Sequence, residues 1–343
     1  NELLSSGSAL NTDIGILQSE GVHVSGTIDL ADTTSVSLSQ AQAHDLLQDG
    51  LHFAADDHNI HLSVSAAEGT HLQTSLKDLQ KLGVDAVAVA ADDAAAVDSI
   101  SLDLGDGAAL SLDGLPTFAS DDITVTLDVA NAAQLGEVAS LASAEGVNLS
   151  AIGLDNVELI LNGQDQLSEL LGDANLSSNL EAVRNDQLTI NTIDMVSTDT
   201  VKLSDTDAHN LLMDGLHFAA DDHIQVEAGH THLSTSLKDL QKLGVDAVAL
   251  AGAGHEISVD FGSEGTFDLA GGVTSFLGGD SVDVTLNVNG ADQVAQLADL
   301  AGVDSVNLSA LGIDNVNLSL GDADLNELLS SGSALNTDIG ILQ

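Results

Sequence analysis

Short apolar helices and alternating strands follow one another along this chain in a regular order. The segment "SLKDLQKLG" (75–83) places Leu76, Leu79 and Leu82 on one helix face, with a serine before the helix and a glycine after it. The following segments, "VDAVAVA" (84–90) and "DSISLDL" (98–104), alternate apolar with small or polar residues, as half-buried strands do. The pattern therefore predicts strands that are covered by short helices.

The same order of elements recurs about every 35 to 45 residues, a spacing that is typical of tandem repeats. Each module is a helix, a glycine, a strand, an Asp-rich turn and a second strand, as in residues 39–65. A later module adds two predicted strands, "VNLSAI" (147–152) and "VELIL" (157–161). Helices of about ten residues are marginal alone, so each must pack on strands. The predicted fold is a mixed α/β tandem repeat of helix-Gly-strand-turn-strand modules, in an elongated or solenoid-like array.

Long stretches of the sequence occur twice. Residues 1–18 and 326–343 are identical, a displacement of 325 positions, and residues 43–58 return with two changes as 208–223. We therefore expect both ends to be cuts in a longer periodic chain. The predicted divisions are 1–38, the end of a preceding repeat, 39–203, the first half-repeat, and 204–343, the second half-repeat.

The net charge of the chain limits the kinds of molecule that it can bind. Six Lys and Arg against 54 Asp and Glu give a net charge of -48, which repels nucleic acids and anionic membranes. Self-repulsion of this size calls for screening or bound cations, and calcium is the candidate because it takes carboxylate oxygens. We expect no nucleic acid partner and no membrane insertion, since no segment is long and apolar enough to span a bilayer.

Catalytic and ligand-binding signals are scarce in the sequence. Aromatic residues make up 2% of the chain and Cys is absent, which argues against a small-molecule pocket and against thiolate chemistry. The motifs of serine hydrolases, phosphate-binding loops, dinucleotide-binding folds and zinc proteases are not found. The sequence therefore predicts neither an enzyme nor a small-molecule substrate.

Metal binding is the chemistry that the polar residues allow. Asp-rich turns offer carboxylates, and several histidines recur in both halves, although duplication alone would copy them. None of the turns fits an EF-hand loop or a calcium-binding nonapeptide. Calcium is the expected ion and a transition-metal site the less favoured one. The candidate ligands are Asp56, Asp57, His58, Asp221, Asp222, His223, His230 and His232.

Four of the six basic residues lie on one duplicated helix. They are Lys77 and Lys81 in the first copy and Lys238 and Lys242 in the second. A few cations on an otherwise acidic chain can set the orientation of a docking face on a neighbouring module or subunit. A solvated helix face is the alternative, because Asp78 and Asp239 lie beside these lysines.

These features together resemble a known class of proteins. Tandem modules, abundant Asp, no Cys and scarce Lys are similar to large repetitive bacterial surface proteins, such as type I-secreted adhesins and S-layer or matrix proteins. The most specific unit is "LxxLGVDxVxL", at 79–89, where valine takes the last place, and at 240–250. The resemblance implies an extracellular or cell-surface structural protein that self-associates into a filament, sheath or biofilm matrix. The alternatives are the stalk of a giant adhesin and a His/Asp metal-binding protein.

Overall fold

Parallel strands and short helices alternate along the chain. The computed structural model describes residues 26–30, 35–67, 70–90, 97–111, 113–118, 123–144, 148–249, 256–263, 274–277, 282–302, 308–330 and 333–342. The fold is mixed α/β with several parallel sheets.

The described residues form ten α-helices and eighteen strands. The helices are α1 (Gln40–Gln48), α2 (Leu76–Leu82), α3 (Ala132–Ala142), α4 (Gln164–Leu171), α5 (Leu176–Asn185), α6 (Asp205–Met213), α7 (Leu237–Leu243), α8 (Ala291–Ala301), α9 (Asp322–Leu329) and α10 (Ala334–Leu342). The strands are β1 (Gly26–Ile28), β2 (Val36–Ser39), β3 (Leu51–Phe53), β4 (Ile60–Val64), β5 (Ala86–Val89), β6 (Ser99–Asp103), β7 (Thr117–Phe118), β8 (Thr124–Val129), β9 (Asn156–Leu161), β10 (Thr192–Met195), β11 (Val201–Ser204), β12 (His217–Phe218), β13 (Ile224–Glu227), β14 (Val245–Ala249), β15 (Glu256–Asp260), β16 (Ser275–Leu277), β17 (Asp283–Asn289) and β18 (Asn315–Ser319). None of these helices is long and apolar enough to cross a membrane.

Contacts divide the chain into two units. The first holds the described residues up to Leu161 together with 166–190, and the second holds 162–165 and those from Asn191 onward. Within the first unit the hydrogen-bonded neighbours run β1-β3, β2-β4-β5-β7 and β6-β8-β9. Within the second they run β10-β12, β11-β13-β14-β16 and β15-β17-β18. The two units therefore repeat one strand arrangement.

The partner strands within these units are all parallel, and they lie far apart in sequence. Gly26 pairs with Leu51, and Ser99 pairs with Thr124, 25 positions on in both cases. Parallel strands need a crossover connection between them. Strands that follow one another directly, such as β3 and β4, belong to different ladders, so the Asp-rich turn between them does not close a hairpin.

The helices begin and end as the sequence predicts. Ser75 Oγ accepts a hydrogen bond from the N–H of Asp78 at 3.2 Å, and Gly83 ends α2 in the left-handed conformation. The three leucines of α2 are at most 1% exposed, so the apolar face is part of the core. One predicted strand is wrong: "VNLSAI" contains a 3-10 turn at Ser150–Ile152, since the chain must turn there before β9 begins.

Among the described residues, a complete Gly-apolar-Asp triplet occurs four times and makes the same hydrogen bond each time. The glycine has a positive φ and the apolar residue is buried, while the Asp carboxylate accepts the N–H of the first or second residue of the preceding strand of the ladder. The four N–Oδ2 pairs are Ile60 to Asp85 (2.8 Å), Val125 to Asp155 (2.7 Å), Ile224 to Asp246 (2.8 Å) and Val284 to Asp314 (2.8 Å).

A second hydrogen bond often accompanies the first. The N–H of Asp155 donates to the carbonyl of Val125 at 3.0 Å, so the two residues are joined at two points. The same return bond joins Asp85 to Ile60 and Asp314 to Val284. We call this pair of bonds the aspartate clamp. Because a slip of one residue would turn every side chain to the other face of the sheet, the clamp fixes the register where each strand begins.

Replacing Asp155 by Ala tests the clamp. The part-buried N–H of Val125 loses its acceptor, and we expect the free energy of unfolding to fall by about 1–3 kcal/mol. Asp155→Asn keeps an acceptor oxygen and should lose less. Urea unfolding followed by circular dichroism measures both. Equal losses in the two variants would show that the hydrogen bond does not carry the effect.

Candidate metal centre

The first Asp-rich turn directs a carboxylate at the backbone. Asp57 Oδ2 accepts a hydrogen bond from the N–H of Ala54 at 3.1 Å, and Oδ1 accepts one from the N–H of Leu30 at 3.1 Å. Asp222 makes the equivalent bonds in the second copy of the turn. Both carboxylates therefore join their own turn to a strand end 27 positions earlier.

The second turn buries its carboxylate. Asp222 is 6% exposed and accepts the N–H of Met195 at 3.0 Å and that of Ala219 at 3.1 Å. Desolvation by burial raises the pKa of Asp222 from 3.8 to about 6. The two N–H groups favour the charged form and limit the rise, whereas the nearby Asp194 and Asp221 add to it. Burial likewise raises the pKa of Asp194.

The remaining predicted ligands lie apart from one another. All six are exposed to solvent, namely Asp56, His58, Asp221, His223, His230 and His232. His223 Nδ1 lies 4.0 Å from Asp246 Oδ2, and both side chains are exposed. Among the described residues, none of the eight predicted ligands belongs to a group of three side chains close enough to share an ion.

Such a group exists elsewhere in the first unit. His71, Asp103 and Asp128 offer donor atoms that all lie within 4.8 Å of one another. His71 Nδ1 is 2.9 Å from Ser101 Oγ and 3.4 Å from Asp128 Oδ2, and its Nε2 is 3.8 Å from Asp103 Oδ2. Asp128 is 4% exposed, whereas His71 and Asp103 are exposed. The group is therefore open to solvent on one side.

The pairing register of the strands brings the members of this group together. Asp103 on β6 pairs with Asp128 on β8, and Asp128 pairs with Glu158 on β9, so three acidic residues form one row across the ladder. His71 is bridged to Ser101, two residues before Asp103. Like charges directly opposite one another in a sheet are destabilising, so this row favours a cation beside it.

The second unit has the same row with less charge. Asp260 pairs with Asn287, which pairs with Asn317. Asn287 Nδ2 donates to Asp260 Oδ1 at 3.0 Å, and Asn317 Nδ2 donates to Asn287 Oδ1 at 3.2 Å. His232 lies as His71 does, 2.8 Å from Ser258 Oγ and 3.9 Å from Asp260 Oδ2. Two asparagines thus replace two acids, and their amide groups donate the hydrogen bonds that the oxygens of the row accept, without a cation.

The donor set of the first unit fits some ions better than others. One imidazole and two carboxylates suit zinc and similar transition metals, whereas calcium takes oxygen ligands alone. Metal-to-ligand distances near 2.1 Å in a tetrahedral zinc site place neighbouring donors about 3.4 Å apart. The donor atoms here lie within 4.8 Å of one another, so small side-chain movements would bring all three onto one ion.

The sequence identified one member of these rows, His232. It missed Asp103 and Asp128, because "SLDL" and "TLDV" read as ordinary alternating strands. The signal that could have found them is the parallel pairing, which brings together residues 25 positions apart.

The first of the predicted interface lysines is held within its own unit. Lys77 Nζ lies 2.8 Å from Glu137 Oε2, with the two side chains 9% and 19% exposed. Glu137 Oε1 also accepts the N–H of Leu110 at 2.6 Å. The ion pair therefore ties α2 to α3 and to the loop between them.

The second copy uses a neutral partner. Lys238 Nζ donates to Gln296 Oε1 at 2.6 Å and lies 4.9 Å from the centre of the Phe261 ring. Burial lowers the pKa of Lys238. Lys81 and Lys242 are exposed at the last turn of their helices. Docking of this helix on another molecule stays a prediction.

The pH dependence of stability tests the burial of Asp222. The pKa is raised in the folded state, so protonation stabilises the fold: the contribution is complete below pH 3.8 and is lost as the pH rises through about 6. In Asp222→Asn this loss is absent. The stability of the variant relative to the original chain should therefore rise by roughly 1–3 kcal/mol between pH 4 and pH 7, at about 1.4 kcal/mol per pKa unit.

Urea unfolding of both chains at several pH values measures this difference. The amide in the variant has a single acceptor oxygen for the two N–H groups, but the cost of that loss does not depend on pH. A difference that stays flat across the range would contradict the assignment.

Comparisons with known proteins give no relative for this chain. No protein-family model, curated protein or solved structure matches it. Its function must therefore be argued from its own residues.

Proposed function

We propose that this chain is a structural repeat protein of a bacterial extracellular filament, sheath or matrix. In this proposal each unit is a solenoid-like stack of coils, in which every strand adds to the one before it. Copies of the repeat are the partners, and assembly proceeds by packing one module on the next. An extracellular or cell-surface location belongs to the same proposal and is supported by the acidic, Cys-free composition.

The recurring aspartate clamp is the observation that carries the proposal. The same Gly-apolar-Asp triplet joins a strand to the preceding one in both units, at Asp85 and Asp155 and again at Asp246 and Asp314. Each strand therefore receives a neighbour on one edge and presents a similar edge on the other. Contacts of this heterologous kind do not close on themselves, so they can be extended by adding copies.

Charge supports a role for ions in assembly. At -48 per chain, two copies repel each other strongly at low salt. The Debye length falls from about 30 Å at 0.01 M salt to about 10 Å at 0.1 M, so salt lets the surfaces approach. Divalent ions that bind facing carboxylates would act at lower concentration than monovalent ones.

Sedimentation velocity of the whole chain tests this proposal. We expect the mean molecular mass to rise with protein concentration and with salt from about 0.01 M to about 0.5 M, because screening removes the repulsion. Negative-stain electron microscopy of the associated fraction should show ordered filaments or layers.

Two outcomes would argue against it. A chain that stays monomeric at every salt and protein concentration would favour the adhesin stalk instead. Calcium at ionic strength matched with sodium chloride isolates the divalent effect: equal association in the two salts would remove calcium from the proposal.

A second candidate function is transition-metal binding at His71, Asp103 and Asp128. The observation that favours it is the uneven charge of the two equivalent rows, three acids in the first unit and one in the second. A divalent cation would offset this charge where the asparagines of the second unit make it unnecessary.

Zinc titration by calorimetry tests this candidate, with the second unit as the control. We expect saturable binding that His71→Ala and Asp128→Asn abolish and that His232→Ala leaves unchanged. Without metal, Asp128→Asn should raise the free energy of unfolding by roughly 0.2–1 kcal/mol, because it removes one of two facing carboxylates. Equal loss of binding in His71→Ala and His232→Ala would mean that the proposed row is not the site.

A further inference from the structure

Among the described residues, a groove beside the last strand of the second unit is unfilled. Strand β18 is an edge strand among the described residues, where it pairs with β17 alone. A groove of about 410 Å³ runs along it. Its apolar lining is Leu308, Ile313, Val316, Leu318, Ile339 and Leu342, the last two from α10.

In the first unit, the equivalent position beside the strand is occupied by a segment of the same chain. Strand β9 begins with the same "NV" dipeptide, and it is followed in space by residues 188–190. The N–H of Val157 donates to the carbonyl of Thr189 at 2.8 Å, and the N–H of Thr189 donates to the carbonyl of Asp155 at 2.9 Å. Leu188 and Ile190, on either side of Thr189, are each 2% exposed.

The side chains on the two equivalent strands differ in their exposure to solvent. Val157 and Leu159 on β9 are buried, whereas Val316 and Leu318 on β18 are half-buried. Apolar residues of the same type are thus left partly open to solvent in the second unit. The helices that follow show the same contrast: Leu167 of α4 is 0% exposed, and its counterpart in α9, Leu325, is 46% exposed.

We infer that the outer edge of β18 is a docking surface for residues 22–24, "VHV", of a second copy of this chain. The inference rests on the proposed self-assembly and names the surface and the segment that would carry it. The segment adds as a parallel strand: the N–H of Val316 donates to the carbonyl of His23, and the carbonyl of Asp314 accepts the N–H of His23. Val22 and Val24 then enter the apolar groove. Addition of an extended segment to a sheet edge is a common mode of recognition.

The duplication of the sequence identifies this occupant. In the first unit, α5 leads within three residues to Leu188, Thr189 and Ile190, and "TID" follows at 192–194. The sequence of α10 also occurs at residues 9–17, where it leads to "VHV" and then to "TID" at 27–29. Residues 188–190 and 22–24 both have the apolar-polar-apolar pattern that suits a strand with one buried face.

The strands that follow support the same correspondence. Thr27 on β1 pairs with His52 in the register in which Thr192 on β10 pairs with His217. The spacer before this threonine is one residue longer in the "VHV" copy. Residues 22–24 are therefore the counterpart of residues 188–190, which lie beside β9.

A peptide and one strand variant test the surface in the full chain. The probe is a fluorescent peptide with the sequence of residues 19–30, "SEGVHVSGTIDL", at about 0.5 M salt, where repulsion is screened. We expect saturable binding by fluorescence anisotropy. In the chain, Val316→Pro removes the N–H that would bond the peptide, and proline is tolerated on an edge strand. Peptide affinity should fall by about tenfold or more.

Matched controls separate docking from misfolding. A peptide with His23 replaced by Pro lacks the N–H that would bond Asp314 and should bind the original chain weakly, and Val316→Pro should keep the circular dichroism spectrum and unfolding midpoint of the original chain. Failure of the peptide to bind the original chain overturns the inference, and so does equal binding to Val316→Pro.

The same variants distinguish this inference from the proposed function. If Val316→Pro self-associates as the original chain does, the assembly proposal stands and this surface is not its interface. If the original chain binds the peptide but never self-associates, the docking surface is supported and the assembly proposal fails.

Discussion

The aspartate clamp is the interaction on which the rest of the structure depends. In a ladder of parallel strands each partner lies 25 or so residues away, and no tight turn sets the register between them. The carboxylate of Asp155 takes over that role by accepting the N–H of Val125, near the start of the strand beside which β9 must lie. Once this bond forms, alternation alone directs Val157 and Leu159 inward. The core, the helix positions and the polar rows all follow from this register.

The clamp also gives the acidic composition a structural reason. Asp85, Asp246 and Asp314 bond backbone N–H groups at strand starts, and Asp57 and Asp222 do the same across their turns. A short side chain that accepts strongly is needed at each of these places, and Asp provides it. Together with Asp155, these six of the 54 acidic residues are therefore explained by how the strands are joined. At those turns the carboxylates of Asp57 and Asp222 accept backbone N–H groups, and calcium binding there stays a prediction.

Local features of the fold could be predicted from the sequence, whereas long-range pairing could not. Ser75 and Gly83 mark the ends of α2 because capping is decided within a few residues. The pairing of β4 with β5 and β2 could not be derived, because an Asp-rich turn before β4 is equally compatible with a hairpin. The row of Asp103 and Asp128 was missed for the same reason. Chemistry that depends on register is invisible until the partner of each strand is known.

The two units show how one scaffold can carry different electrostatics. The exchange of Asp128 for Asn287 removes a charge from a row of identical backbone geometry, and the exchange of Glu137 for Gln296 does so beside a buried lysine. Beside the lysine the hydrogen bond is kept and the charge is lost, whereas in the row the asparagine adds a hydrogen bond to Asp260. Register and charge are thus set by different residues in this fold. The charge of these rows can therefore change without altering how the strands pair.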